Sequence, residues 1–379
     1  LVSKAFRGEK DSLIALSVMG PADNSLKTYK IKRGHVDLSS LDAAYIAAPA
    51  VGYIKISKFA ATTDNDFRAA LKKLQTAGMQ KLVLDLRGNG GGYLNSATEL
   101  ASEFLDKGKL IVFTRGVHEP RTDYLATDSG LFHNGKLAVL IDEYSASASE
   151  ILAGALQDLD RAVIVGRRSF GKGLVQQQFG FGDGSAVNLT VARYYTPSGR
   201  SIQKSYKGGL DSYRNEVAER VQKGELFSEE NYLADSAFKK ATAYHTAKGR
   251  KVFSGGGILP DIFVPADTTG NTQLMQELGD KQLFSAYVID KMQPVLKGFD
   301  TDDNFLKSYN VNNDQFDDFI GYASKTLKEI NSKEIKASKD NIKMLLKAYA
   351  ARYKWGDTAY FQVLNDDDNT LKRAIAEIN

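Results

Sequence analysis

"KLAVLIDEYSASASEILAGALQDLDRAVIVG", residues 136–166, contains a complete strand–turn–helix–strand unit. KLAVLID is an almost uninterrupted apolar run, EYSAS is a turn of small and polar residues, ASEILAGALQDL is a helix, and AVIVG is a second apolar strand. Strands apolar at successive positions are buried on both faces. That is the signature of a parallel sheet with helices on its faces.

The same alternation extends towards the N-terminus. AVGYIKISKF is a strand, and DFRAALKKLQTAGM a helix with its apolar face at Phe67, Leu71 and Leu74 and a glycine near its end. KLVLDL is a strand that runs directly into RGNGGGY, and NSATELASEFLDKG is the next helix. The expected fold class is therefore α/β, with a buried, mostly parallel sheet. Towards the C-terminus the character changes. LVQQQFGFGDGSAVNLTVARYYT reads as β-hairpins about a GDG turn. Residues from about Gly208 to Gly249 form a charged helical insertion, SGGGILPDIFVP returns to turn and strand, and from about Asn271 the chain is helical. There Phe316, Phe319, Ile320, Ala323 and Leu327 keep helical spacing, as do Ile342, Leu345, Leu346, Tyr349 and Tyr353, which marks packing surfaces. The opening forty residues carry two strands, DSLIALSVM and SLKTYKIKR, split by GPADN, as at the end of a small β-rich module.

Bulk properties exclude several classes. Fifty Lys+Arg against 46 Asp+Glu give +4 over 379 residues with no long basic run, which disfavours a nucleic-acid face. No apolar stretch approaches the twenty residues of a membrane span. The chain begins at Leu1, so export is not read from the chain itself. Zero cysteines remove disulfides, thiolate metal sites and a cysteine nucleophile. The four histidines, His35, His118, His133 and His245, have neither metal spacing nor a serine-rich turn beside them, so a hydrolytic base is expected to be another residue type.

GRRSFGKGLVQ, residues 166–176, comes within one position of a phosphate-binding loop, with Gly173 where Ser or Thr would hold magnesium. A strand rather than a helix is expected after Lys172, so nucleotide binding is not. Three features do converge on acyl chemistry. A serine in SASAS stands where a strand turns into a helix, beside main-chain N–H groups that favour an oxyanion. RGNGGG lets main-chain donors approach a carbonyl. Lys172 lies in a glycine-flanked turn, and in an extended segment it shares a face with Gln176. A lysine base must be neutral near pH 7–8, far below its ordinary value of about 10.4, and desolvation between Gly171, Gly173, Phe170 and Leu174 would favour that form. Ser147 and Glu150 also read as a capping box, which needs no chemistry at all. Spacing alone leaves Ser145, Ser147 and Ser149 open as the nucleophile of a Ser/Lys pair.

YIKISKF, LDLRGNGGGYL, DEYSASASEILAGALQD, VGRRSFGKGLVQ, DGSAVNLTVARYYTPSGRSIQ and GILPDIFV occur in this order, over about residues 50–265. In that order they resemble the carboxyl-terminal processing (tail-specific) serine proteases. The resemblance implies a crotonase-like, tail-specific-protease catalytic core over residues 39–270, with an insertion at about 205–253. It implies the C-terminal part of a PDZ-like domain over 1–38, without its carboxylate-binding loop, and a helical region over 271–379 of a kind that can mediate homodimers. It further implies Ser147 as nucleophile, Lys172 as base and Gln176 as the residue positioning that lysine. Main-chain N–H groups of Gly90 or Gly91 and of Ala148 would form the oxyanion hole, and Asp158 would support the site. Leu174 departs from a frequent threonine. Implied partners are polypeptides recognised at or near their C-termini, with no metal, organic cofactor, nucleotide or nucleic acid, in a periplasm or at a cell envelope. The rival readings are a non-catalytic peptide-binding protein on the same fold and a crotonase-like acyl-thioester enzyme.

Overall fold

Alternate residues of the central strands go to opposite faces, so each strand supplies two cores at once. The computed structural model describes residues 5–19, 25–34, 39–127, 130–233, 241–327 and 329–379. The chain divides into two compact units, Leu1–Ser39 and Ser40–Asn379. The first is an antiparallel hairpin of β1 (Leu13–Met19) and β2 (Leu26–Lys32), with Leu13 opposite Lys32 and Met19 opposite Leu26. Its Leu13, Val18, Met19, Leu26, Tyr29 and Ile31 are exposed.

The second unit opens with β3 (Leu41–Ala48), β4 (Val51–Ile56), α1 (Thr63–Thr76), β5 (Lys81–Asp85) and α2 (Leu94–Ser102). It continues with β6 (Leu110–Arg115), β7 (Thr122–Leu125), β8 (Lys136–Ile141), α3 (Ala148–Asp158) and β9 (Val163–Gly166). β10 (Leu174–Gly180) and β11 (Ala186–Tyr195) form a hairpin. The insertion after it contains α4 (Gly209–Gln222), α5 (Glu229–Leu233) and a short hairpin of β12 (Ala243–His245) and β13 (Lys251–Phe253). β14 (Ile262–Phe263) then rejoins the core.

The central sheet has the order β14-β9-β8-β5-β4-β3, parallel throughout except for β3, which runs antiparallel to β4. On one face Ile54, Ile56, Leu82, Leu84, Val139 and Ile164 pack with residues of α1, α2 and α3. α3 is buried along its whole length, which a helix tolerates only when it is apolar or satisfied all round. A second, antiparallel sheet has the order β10-β11-β6-β7 and carries the exposed hairpin.

The helical region contains α6 (Gln273–Asp280), α7 (Leu283–Tyr287), a π-helical turn over Val288–Met292, α8 (Gln293–Lys297), α9 (Asp302–Ser308) and α10 (Asn313–Ala323). α11 (Ser332–Trp355), α12 (Asp357–Asn365) and α13 (Asn369–Ile378) complete it. Phe316, Phe319, Ala323 and Leu327 are buried, as are Ile342 and Leu346. Tyr353, expected in the same stripe, is exposed instead: α11 is two-sided only along its middle turns. α13 does not belong to that helical core. Its Leu371, Ala374 and Ile378 cover the other face of the central sheet, over Tyr53, Val83, Ala138, Leu140 and Val165. Among the described residues no helix is long and apolar enough to cross a membrane.

Candidate active site

Three strand ends converge at the C-terminal edge of the central sheet, where an α/β fold presents its reactive residues. β5 delivers the glycine loop, β8 the SASAS turn, and β9 the loop ending at Lys172. Ser147 caps α3 with φ 57° and ψ −112°, a conformation that costs a non-glycine residue of order 1–3 kcal/mol. The surroundings fix it there. Gly91, at φ 104°, passes so close that a Cβ on it would lie 2.8 Å from the Ser147 Cβ and 3.0 Å from Ala148 N. That is why this position of RGNGGG has to be glycine.

The structure separates the three serines. Ser145 Oγ donates to the Leu86 carbonyl at 2.8 Å and accepts from Asp142 N, while Ser149 Oγ donates to the Asn89 carbonyl at 2.9 Å; both serines are fully buried. Their hydroxyls tie the SASAS turn to the glycine loop. Ser147 between them is half-buried. Its expected box with Glu150 has its carboxylate half: Ser147 N donates to Glu150 Oε2 at 2.9 Å, and Glu150 N donates to the Ser147 main-chain carbonyl.

Glu150 does more than cap. The same Oε2 accepts from Lys172 N at 2.8 Å, and Oε1 accepts from Gly171 N at 2.7 Å and from Ser169 Oγ at 2.5 Å. One fully buried carboxylate thus holds the main chains of Ser147 and Lys172 at a single oxygen. Burial pushes its carboxyl up, and the Ser169 hydroxyl and three main-chain N–H groups pull it back towards the charged form that can accept all four. Tyr194 bridges the pair a second time, its hydroxyl donating to the carbonyls of both Ser147, at 3.1 Å, and Lys172. Burial first, and then the Glu150 charge, drive the Tyr194 phenol well above its ordinary range, so it remains a donor. Neither Glu150 nor Tyr194 was singled out for chemistry from the sequence. S-x-x-E was a visible signal, already accounted for by helix capping.

The remaining residues fall into place unevenly. Lys172 is half-buried and leads into a strand, not a helix, which removes the nucleotide-loop geometry. Gln176 lies on β10 opposite Thr190, exposed, and Leu174 lies opposite Arg193. Among the described residues no hydrogen bond joins Gln176 to Lys172, or the Lys172 ammonium to the Ser147 hydroxyl; such bonds commonly tighten only with substrate in place. The Gly91 N–H is already committed to Asn89 Oδ1 at 2.8 Å. Gly90 is exposed in the same loop, and Ala148 N is the first N–H of α3, unpaired within the helix. Asp158 sits at the far end of α3, about 16 Å along its axis from Ser147. There it is buried in an ion pair with Arg200 at 2.8 Å and accepts from Ser198 N. His118 and His245 are exposed, His133 bonds to Gly130 and Asn134, and His35 lies outside the described residues.

Residues 50–212 match the model of peptidase family S41. They form an S41 peptidase domain. Residues 274–356, within the helical region, match a family of unknown function, DUF8443. The chain is 40% identical over 205 residues to a carboxyl-terminal-processing protease of Picosynechococcus sp., covering 52% of this chain and 48% of that one. It is 38% identical over 202 residues to the carboxy-terminal processing protease CtpB of Bacillus subtilis, covering 52% and 42%. Among solved structures, a photosystem II D1 C-terminal processing protease is 34% identical, with 52% of this chain and 54% of that chain covered and a TM-score of 0.40. The chain spans about half the length of the curated relatives it matches.

Proposed function

We propose that this protein is a serine endopeptidase of the carboxyl-terminal processing class, working through Ser147 and Lys172. The observation that carries this reading is the shared Glu150 oxygen, which holds the two main chains together while Ser145 and Ser149 are committed elsewhere. Ser147 Oγ attacks the peptide carbonyl as neutral Lys172 removes its proton. Lys172 then returns that proton to the leaving amine, and water hydrolyses the acyl-enzyme. Ala148 N–H and a main-chain N–H of the glycine loop receive the developing oxyanion. Gly90 suits that role better than Gly91, whose N–H serves Asn89. Gln176, on β10, steadies the lysine when substrate is in place. Asp158 acts at a distance, through Arg200 and the turn at Ser198.

Polypeptides recognised near their C-termini are the substrate class, and no cofactor takes part. Residues 1–38 are the C-terminal part of a PDZ-like domain, a reading supported by the apolar side chains that β1 and β2 leave exposed. Work in a periplasm or at a cell envelope, and pairing of two copies through the helical region, follow from the same reading. The test is digestion of a flexible protein substrate, read by mass spectrometry. Ser147→Ala and Lys172→Ala abolish cleavage, and Lys172→Arg does not restore it because guanidinium stays protonated. Activity persisting in Ser147→Ala but lost in Ser149→Ala would reassign the nucleophile. Activity in Lys172→Arg would remove the lysine base.

A further inference from the structure

Beside the candidate site, the second sheet carries a groove of about 620 Å³ lined by Arg115, Val117, Leu174, Val191, Arg193 and Tyr195 among others. Arg193 and Arg115 are directly opposite each other in the β11–β6 ladder, so both guanidinium groups stand on one face. Like charges in that position repel. A third arginine of this face, Arg121, lies over the Phe113 ring and is matched by Asp123 at 2.6 Å. For Arg115 and Arg193, by contrast, no carboxylate among the described residues lies within 4 Å, and Arg115 has only the Tyr195 ring beneath it. Both are exposed. The remaining wall, Val117, Leu174, Val191 and Tyr195, is apolar, and Val117 is 94% exposed.

The groove is in register with the reacting pair. Leu174 is two residues past Lys172 and faces Arg193 across the ladder. Tyr194, the residue between Arg193 and Tyr195, is the one whose hydroxyl spans the carbonyls of Ser147 and Lys172 from the opposite face of β11. A ligand seated on Arg193 is therefore placed relative to Ser147 by a single strand.

We propose that this groove holds the chain end of the peptide, with the terminal carboxylate between Arg115 and Arg193 and an apolar last side chain against Val117, Leu174 and Val191. Two unmatched cations beside an apolar wall suit one residue carrying both a carboxylate and an apolar side chain. Among protein residues only a chain terminus offers that combination; an Asp or Glu side chain has no apolar group of its own to fill the wall. The assignment rests on the peptidase reading and adds a recognition site within the S41 domain itself.

The experiment uses the full chain as Ser147→Ala, so that binding is measured without turnover. Fluorescence anisotropy compares a labelled decapeptide ending in valine as the free acid with the same peptide amidated. The free acid binds about three- to tenfold more tightly, the range of a solvent-accessible but bidentate arginine–carboxylate contact. Arg193→Gln and Arg115→Gln each narrow that gap, and together they close it, with unchanged thermal melting as the check on folding. Equal binding of acid and amide overturns the proposal, and so does a gap that survives the double substitution. An amidated peptide with an internal glutamate that binds as well as the free acid also overturns it, reassigning the groove to acidic side chains. Turnover by the wild-type chain separates the two readings. Cleavage of both peptides at equal kcat/KM sinks the groove alone, whereas failure to cleave any substrate sinks the peptidase reading and leaves the binding result to stand by itself.

Discussion

At the scale of single residues, Glu150 and Asp85 show how buried carboxylates set loop positions at the sheet's edge. Glu150 spends four acceptor sites on two loops, and Asp85 spends its own on the third. Asp85 accepts from Tyr53 Oη at 2.7 Å and from Arg87 N at 2.8 Å, and the Arg87 guanidinium grips it at 2.7 Å. Burial by itself would raise the Asp85 carboxyl, but Arg87 and Lys55 outweigh it and hold the group well below the carboxylate range. A folded-state value below the unfolded value of about 3.9 means that the unfolded chain binds the proton more readily. Asp85 thus stabilises fully above that pH, and its contribution fades as the pH falls through and below it. Asp85→Asn is expected to lower stability at pH 7 by about 1.5–3 kcal/mol, since it removes the more deeply buried of the two carboxylates, Asp85 and Asp368, that hold the Arg87 guanidinium. Denaturant melts from pH 7 to pH 3 should show the gap to wild type narrowing below about pH 4. A gap constant across that range would remove the charged pair as its source.

At the scale of elements, the insertion is a brace for the lysine loop. Arg168, four residues before Lys172, is held by Glu225 at 2.7 and 2.9 Å and by Glu216 at 3.2 Å. Arg220 of α4 donates to the Arg168 and Ser169 carbonyls and shares Glu225. Phe170 meets Tyr213 of α4 edge-on at 5.9 Å. Glu225→Gln should cost about 3–5 kcal/mol, because two buried guanidinium groups lose their shared charge. It should also lower kcat more than KM, as a displaced base would; a pure loss of stability with unchanged kcat would show the brace to be independent of the site. Legibility from sequence divides along this line. The unit over 136–166 was readable because periodicity and turn residues are local, and it folds as β8, α3 and β9. The close pass of Gly91 at Ser147, the choice among three serines, the Tyr194 bridge and the Arg168–Glu225–Arg220 cluster were not readable. Each joins residues far apart in the chain through contacts that no local pattern records. Asp158 shows the converse: helical spacing put it on the right element, but only the fold shows it committed to Arg200.

At the scale of the whole molecule, α13 belongs to the central sheet rather than to the helices before it. Leu371, Ala374 and Ile378 of α13 seal the back of the sheet, and Asp368 at its start accepts from Leu371 N while pairing with Arg87 at 2.7 Å. Arg87 opens the glycine loop, so α13 is connected to that loop through one guanidinium. Burying two large aliphatic side chains is worth about 1.5–3 kcal/mol each, a large share of the 5–15 kcal/mol that keeps a domain folded. A chain ending at residue 368 is expected to be aggregation-prone and inactive, measured as loss of soluble protein and gain of hydrophobic-dye binding. A soluble, active truncation would show that the back face needs no cover.

That arrangement also orders events in time. A ribosome delivers Ser147, Lys172 and the glycine loop long before it delivers α13; at about 5–20 residues per second, the interval between Lys172 and α13 is roughly ten seconds or more. Throughout that interval the face of the central sheet that α13 covers is open and Arg87 has no Asp368. Over that stretch of synthesis Ser147 and Lys172 are present without the helix that covers the back of their sheet. Settling of the loops around Ser147 and Lys172 is therefore expected to wait for α13, because the face of the sheet beneath them is covered only then.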